Sequence, residues 1–275
     1  TRALWLIDYA DLSTYAPETL TAGRYLAAGW AVIAGAKWQA LAANLQSLVA
    51  VQGNIVAFPF ALLGAWRLRR QPLFQAAALY AGLLFLAMTF AFTWPGLFGG
   101  FLHSGTALLV FMGPAALVGL DTAVEAAARR LKHWQPERSK PIFMTLLVAG
   151  VCLLAVLRFP AAAAGTRAAD AVYAEIGGWL EREAGGPAVV AVNNPPAFKY
   201  HTGWPAIVVP AGGPDMLLRA MADFQARWLV LDVNVAPGLA GLYDQPAAEP
   251  RLRLRATFQD AAGRPVYLLE RLPDP

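Results

Sequence analysis

The sequence holds one cysteine, Cys152, and three histidines. A single thiol inside an apolar run builds no disulfide framework, which excludes a bridged secreted scaffold. The histidines are scattered, and no Cys/His spacing suits zinc. Charge is also scarce. Asp, Glu, Lys and Arg make up 15% of the 275 residues, while hydrophobic residues make up 57%. Soluble domains carry roughly 25% charged residues. The deficit is local: none of the four occurs from Trp38 to Trp66, from Gln71 to Leu120, or from Pro141 to Leu157. No phosphate-binding loop, GxSxG, HExxH or GxGxxG is present, so those nucleotide, hydrolase and metalloprotease signatures are excluded. Gly212-Gly213 reads as a turn before a helix.

What is there instead is apolar length. A bilayer core is spanned by roughly 20 apolar residues, and an ionised side chain at its centre is costly. The uncharged runs therefore predict a membrane all-α helical bundle of four transmembrane helices, at about 46–66, 72–93, 105–124 and 141–157. They do not resemble a cleaved signal. Pro59 and Pro114 inside two of them predict kinks, which neighbouring helices can accommodate.

Two basic clusters flank these runs: Arg67, Arg69 and Arg70, then Arg129, Arg130, Lys132, Arg138 and Lys140. They fall in alternate loops, as the positive-inside rule requires of cytoplasmic loops. Residues 1–45, the loop Trp94–Ser104 and everything after Phe159 are then extracytoplasmic. Trp38, Trp66 and Trp94 lie at the expected interfaces. The net charge of +4 thus marks topology and a membrane-lipid partner, with no nucleic-acid footprint on a folded domain.

Residues 20–45 read as helical, but Arg24 and Lys37 leave only twelve uncharged residues between them. That is too short to span, so an interfacial helix is expected. The preceding TRALWLIDYADLSTYAPET reads as a loop rich in aromatics and carboxylates. The last third, 166–275, changes character. Helices are expected at 168–186 and 214–225. Strands are expected at 188–192, 206–210, 227–234, 251–260 and 265–272, the last two joined over Gly263. This alternation predicts a small extracytoplasmic α/β domain with a mostly parallel sheet and an antiparallel edge.

Three stretches carry candidate chemistry. In NNPPAFKYHTG, Asn194, Tyr200 and His201 follow a parallel strand, where α/β folds place ligands. The same residues also read as a connecting loop, with Asn193 and Asn194 ending the strand and Pro195-Pro196 turning the chain. In FGGFLHSGTALL, His103 and Ser104 sit outside the third predicted span. Gly99, Gly100 and Gly105 leave backbone N–H groups at a helix start, which suits a phosphate. A plain outer turn is the other reading. Asp8 and Asp11 could hold a metal or act as a base, or sit in a solvated loop.

Taken together, FLHSG before a membrane helix, an Arg-rich inner loop, one more membrane helix, and NNPP with YHTGWPAIVVP in an outer α/β domain resemble a known group. They look like the C-terminal half of bacterial multi-pass glycosyltransferases of the GT-C superfamily, in the branch of protein O-mannosyltransferases and lipid A aminoarabinose transferases. LWLIDYADLSTY and VQGNIVAFPF are similar to the mid-region of those proteins. The resemblance implies hexosyl or pentosyl transfer from a polyprenyl-phosphate-linked donor on the outer face of the bacterial plasma membrane. It places the usual catalytic Asp upstream of Thr1. The chain is then expected to be a fragment whose partner is its own missing N-terminal half, and no catalytic residue is assigned. No cofactor beyond the lipid-linked donor is expected, and the divalent metal is left open. In related branches a basic residue in the outer loop before a late helix meets the lipid phosphate. Gly99–Ser104 occupies that place with His103, Ser104 and backbone N–H groups, but without Lys or Arg. A phosphate facing His103 favours the imidazolium. The competing reading is a non-enzymatic membrane protein whose α/β domain binds a ligand or partner. A transporter fits less well, because the apolar runs lack ionisable residues at their centres.

Overall fold

The computed structural model describes residues 2–7, 10–93, 100–131 and 134–273. Its chain divides into two compact units. The first comprises Thr1–Tyr9 and Leu20–Phe159, the second Ala10–Thr19 and Pro160–Pro275.

The first unit is helical. α1 (Ala22–Ala27) is capped by Thr21, whose side chain accepts from the Arg24 N–H. Gly29, at φ 85°, separates it from α2 (Trp30–Ser47). A π turn at Leu48–Gln52 prolongs α2, and the chain then breaks. Asn54 and Ile55 take φ of 49° and 43° there, a region that L residues, and β-branched ones above all, rarely occupy. α3 (Phe58–Leu68) follows for 11 residues. α4 (Pro72–Leu86) runs into a second π turn, Ala87–Ala91. α5 (Gly100–Ser104) passes through a 3₁₀ turn, Gly105–Leu108, into α6 (Leu109–Arg130). α7 (Pro136–Glu183) carries the chain into the second unit.

Among the described residues, three helical stretches are long and apolar enough to cross a membrane: Pro72–Ala91, Gly100–Arg130 and Pro136–Glu183. The expected first span, 46–66, is not one helix. It is divided by the break after Gln52, and Pro59 sits in the first turn of α3 rather than kinking a longer helix. The expected interfacial helix is likewise divided, at Gly29. The helix expected at 168–186 is the end of α7. Trp94, the expected loop up to residue 99, and Lys132 lie outside the described residues.

α3 and α6 meet backbone to backbone. A Cβ on Gly64 would overlap the Ala115 carbonyl, and one on Gly119 would overlap the Phe60 carbonyl. Small residues permit such approach where lipid offers helices no hydrophobic drive to associate. Ala61, Ala116, Leu120, Val124 and Leu147 bury themselves around this crossing. At the far end of α6, Asp121 and Glu125 pair with Lys140 at 2.9 and 2.6 Å. Outward, the unit presents Leu79, Leu83, Leu86, Leu146, Leu153 and Val156, all exposed.

The second unit is an α/β sandwich built on a mixed five-stranded sheet. In chain order it holds β1 (Val189–Val192), α8 (Pro195–Thr202), β2 (Ala206–Val208), α9 (Pro214–Asp223), β3 (Ala226–Leu231), α10 (Ala240–Asp244), β4 (Leu252–Gln259) and β5 (Pro265–Arg271). The strand order is β2-β1-β3-β5-β4. The pairs β1–β2 and β1–β3 are parallel, while β3–β5 and β4–β5 are antiparallel. The sheet is thus evenly mixed, not mostly parallel, because β5 joins β3 as well as β4. Val172, Ile176 and Leu180 of α7 pack on one face against Val190, Trp228 and Leu268. Leu217 and Met221 of α9 pack on the other against Ala191, Leu229 and Leu269.

Residues 10–19 belong to this unit, although they precede the whole helical unit in the chain. The Ala211 N–H donates to the Ser13 carbonyl at 3.0 Å, beside a Thr14–Ala211 bridge. The Tyr15 hydroxyl donates to the Asp223 carboxylate, and its ring meets Phe224 edge-on at 6.3 Å. Residues 10–19 of the stretch expected as a loop are therefore docked on this unit. Asp11 within it is buried, not solvated. Asp8 lies outside the described residues.

Candidate functional site

In the helical unit the break after Gln52 is the most unusual local feature. Val51–Asn54, Ala57 and Ala61 line a groove of about 440 Å³, completed by residues of α6 and α7 that include Met112, Leu117 and Val151. That volume lies in the range of small-molecule sites, roughly 300–1,000 Å³. The lining is apolar except at one end. There Gln52 is 2% exposed, its Nε2 donates weakly to the Leu102 carbonyl at 3.5 Å, and its Oε1 has no hydrogen-bond partner among the described residues. A buried polar atom left unpaired costs about 1–3 kcal/mol. A side chain at Gly105 would strike the Gln52 amide, so that glycine makes room for it.

α5 sits beside this end. The Tyr80 hydroxyl donates to the Ser104 carbonyl at 2.9 Å, and the Thr106 hydroxyl to the His103 carbonyl at 2.5 Å. These bonds fix the backbone. They leave the exposed His103 imidazole and the Ser104 hydroxyl without a partner among the described residues. Gly100 packs against Met88, where a Cβ would clash with the sulfur. The N–H groups expected at a helix start by Gly105 are not available, because the helix begins earlier and runs through. Gly99 lies outside the described residues.

A chain of polar contacts that sequence reasoning missed links α2 to the end of α4. Lys37 Nζ donates to the Thr93 hydroxyl, which donates to the Thr89 carbonyl at 3.3 Å. Asn44 Nδ2 donates to the Thr89 hydroxyl at 3.1 Å. Asn44, Gln52, Thr89 and Thr93 are all buried. The signal was present: amides within an uncharged run are expensive in lipid and face protein when they occur.

In the α/β unit, the residues after β1 and β3 converge. Asn193 Nδ2 donates to Asp232 Oδ1 at 2.8 Å and to the Asn234 carbonyl at 3.2 Å. The Asn234 N–H donates to the same Asp232 oxygen at 2.7 Å. Pro195-Pro196 do not turn the chain. They open α8, whose cap is Asn194, its Oδ1 accepting from the Ala197 N–H at 3.3 Å. Gly203, at φ 74°, closes the helix. On α8, His201 Nε2 lies 3.6 Å from Asp170 Oδ2 of α7. Tyr200 is 85% exposed and touches the His201 ring edge-on. Of the residues expected as ligand contacts, His201 thus joins a polar cluster, Asn194 is occupied as a cap, and Tyr200 projects outward. Asn193, expected only to end a strand, holds the two loops together. His103, Ser104 and Gly100 belong to the other unit.

Among the described residues no group of three or more His, Cys, Asp or Glu side chains could hold a metal ion. No family model matches the chain, and no curated protein or solved structure matches it either.

Proposed function

We propose that this chain is part of a multi-pass glycosyltransferase of the bacterial plasma membrane, the part that receives a polyprenyl-phosphate-linked sugar. The observation that carries the reading is the groove at the broken helix, apolar along its length and ending at a buried, half-satisfied amide. A lipid-linked donor has the matching form: a long apolar chain with a polar head. His103 and Ser104, on a helix held beside Gln52, are the side chains assigned to the head. The transferring base is assigned to no residue here.

Four crossings, with the α/β unit extracytoplasmic, belong to the same proposal. Residues 10–19 and 160–273 build one unit, so both lie on one side of the membrane. The chain between them then crosses an even number of times. Among the described residues three helices are long enough, and this reading takes the stretch from α2 through α3 as the fourth crossing. The 11 residues of α3 supply roughly 16 Å at 1.5 Å per residue, about half of a 30 Å core. The π turn and the break supply the remainder. Irregular backbone at that depth is tolerated where protein buries it or a cavity lies beside it, and Gln52 and Gly53 are buried.

The test is transfer from a synthetic polyprenyl-phosphate sugar by the full-length protein in membranes. Gln52→Leu and His103→Ala are expected to weaken donor use about tenfold each, as loss of a hydrogen bond to a charged or polar head would. Unchanged turnover and donor affinity in both variants would sink the assignment. A second reading, a ligand-binding membrane protein without transfer chemistry, draws on the polar edge of the α/β unit. Absence of transfer by the full-length wild type, with ligand binding intact, would select it.

A further inference from the structure

The chain between α2 and α3 gathers unfavourable features within a few residues. Gln52 is buried, and its Oε1 has no partner among the described residues. Asn54 and Ile55 follow at φ of 49° and 43°. Left-handed backbone is costly for L residues, and most of all for a β-branched one. Burial does not offset that cost, because Ile55 is 52% exposed and Val56 48%. Strain of this kind persists only where the surroundings impose it, and it gathers at ligand clamps and switches. The π turn just before it, Leu48–Gln52, is a form found often at functional sites.

The alternative is one helix from α2 through α3, and the sequence handicaps that form too. Gly53 and Asn54 are poor helix formers. Pro59 sits in the first turn of α3, where proline is tolerated. In a joined helix it would fall in the interior. Its ring would then meet the carbonyl four residues back, that of Ile55, and remove a backbone bond. Each form thus carries a cost that the other lacks. What separates them is the groove. Val51, Gln52, Gly53 and Asn54 form part of its wall, and winding them into a helix rebuilds that wall.

We propose that the break is a two-state hinge, broken or joined, and that a lipid lodged in the groove selects the broken form. The lipid's part rests on the reading of the groove given above. A ligand that binds one form shifts the population toward it. Its apparent affinity falls with the fraction of protein in the competent form. Ile55 and Pro59 are not among the residues that line the groove, yet both set that fraction. Ile55→Gly accepts the positive φ without strain and weakens the joined helix. Pro59→Ala relieves the joined helix of its ring.

The experiment is pulsed electron–electron resonance between nitroxides at Trp38→Cys on α2 and Trp66→Cys on α3, both exposed positions. It uses the full-length Cys152→Ser protein in nanodiscs. The free protein is expected to show two distances. Ile55→Gly should enrich one of them, and Pro59→Ala the other. A synthetic polyprenyl phosphate should enrich the distance that Ile55→Gly enriches. It should bind about threefold tighter to Ile55→Gly than to the parent, and about 5–10-fold weaker to Pro59→Ala. A single distance in the free protein that neither variant moves overturns the hinge. So do equal probe affinities in the three proteins. Two distances that the variants exchange and the probe leaves alone support the hinge and overturn the lipid reading of the groove.

Discussion

The two units of this chain are built inside out with respect to each other. The α/β unit buries Trp228, Leu229, Leu231 and Leu269 completely and turns Arg253 and Arg255 outward. The helical unit buries Asn44, Gln52, Thr89 and Thr93 and turns Leu79, Leu83, Leu146 and Val156 outward. One chain thus obeys two solvents. In water, apolar area is removed from contact and charge stays outside. In lipid, leucine is at home on the surface, and polar groups must find one another within the bundle. The close approach of Gly64 to Ala115 and of Gly119 to Phe60 fits the second regime, where packing replaces the hydrophobic drive.

The contrast can be broken from either side, and the largest effect is expected in the α/β core. Trp228→Ala removes a fully buried side chain shared by α7 and the sheet. It is expected to destabilise that unit by about 3–5 kcal/mol, read as early proteolysis of the α/β unit.

Next comes a pair of surface exchanges. Leu146 is 60% exposed on α7. Leu146→Arg is expected to cost about 2.5–3.5 kcal/mol in a membrane insertion assay. Arg253→Leu, on the exposed edge strand β4, is expected to change the melting of its unit by less than about 0.5 kcal/mol. Equal costs at the two positions would erase the distinction between the surfaces.

A smaller effect is expected from Asn44→Leu, which removes the bond to Thr89. Such interhelical bonds average about 0.6 kcal/mol in membranes and reach about 1.7. Unfolding in mixed micelles measures it.

The smallest effect is expected from mild acid. Asp260 accepts from the backbone N–H of Arg264 and of Ala262, and from the Arg264 side chain, closing the β4–β5 turn at Gly263. The Arg264 N–H comes first among the contacts that hold its carboxyl below the usual range. Burial pushes Glu270 up, but Arg227 and Arg255 outweigh it and leave that carboxyl lowered too. Folded values below unfolded ones mean a contribution complete above about pH 4–4.5 and lost as pH falls through the folded values. Hydrogen exchange in β4 and β5 should rise below that range, and Asp260→Asn should flatten the dependence.

Much of this was legible because charge is so unevenly spread. The spans at 72–91, 100–130 and 136–183 were legible because the uncharged runs 71–120 and 141–157 fall within them. The strands were legible to within a residue or three, because apolar alternation and Gly/Pro punctuation act locally. The break at Asn54 and Ile55 was not, since hydropathy carries no information about φ and the run around it stays uncharged. Pro195-Pro196 misled because proline opens helices and turns alike. The pairing of β5 with β3 and the docking of Tyr15 onto Asp223 are contacts distant in sequence, which no local pattern announces. Of the polar clusters, His201 was visible from its place after a strand. Gln52 was not, because what distinguishes it is an unfilled hydrogen bond.

The central claim is that residues 10–19 and 160–273 share one side of a membrane which the chain between them crosses an even number of times. Exposed Glu18, Arg70 and Gln259 can each be changed to cysteine in a Cys152→Ser background and labelled with an impermeant maleimide on intact cells. The account predicts labelling of Glu18→Cys and Gln259→Cys from outside, and of Arg70→Cys only after permeabilisation. Labelling of Glu18→Cys and Gln259→Cys from opposite sides would contradict it.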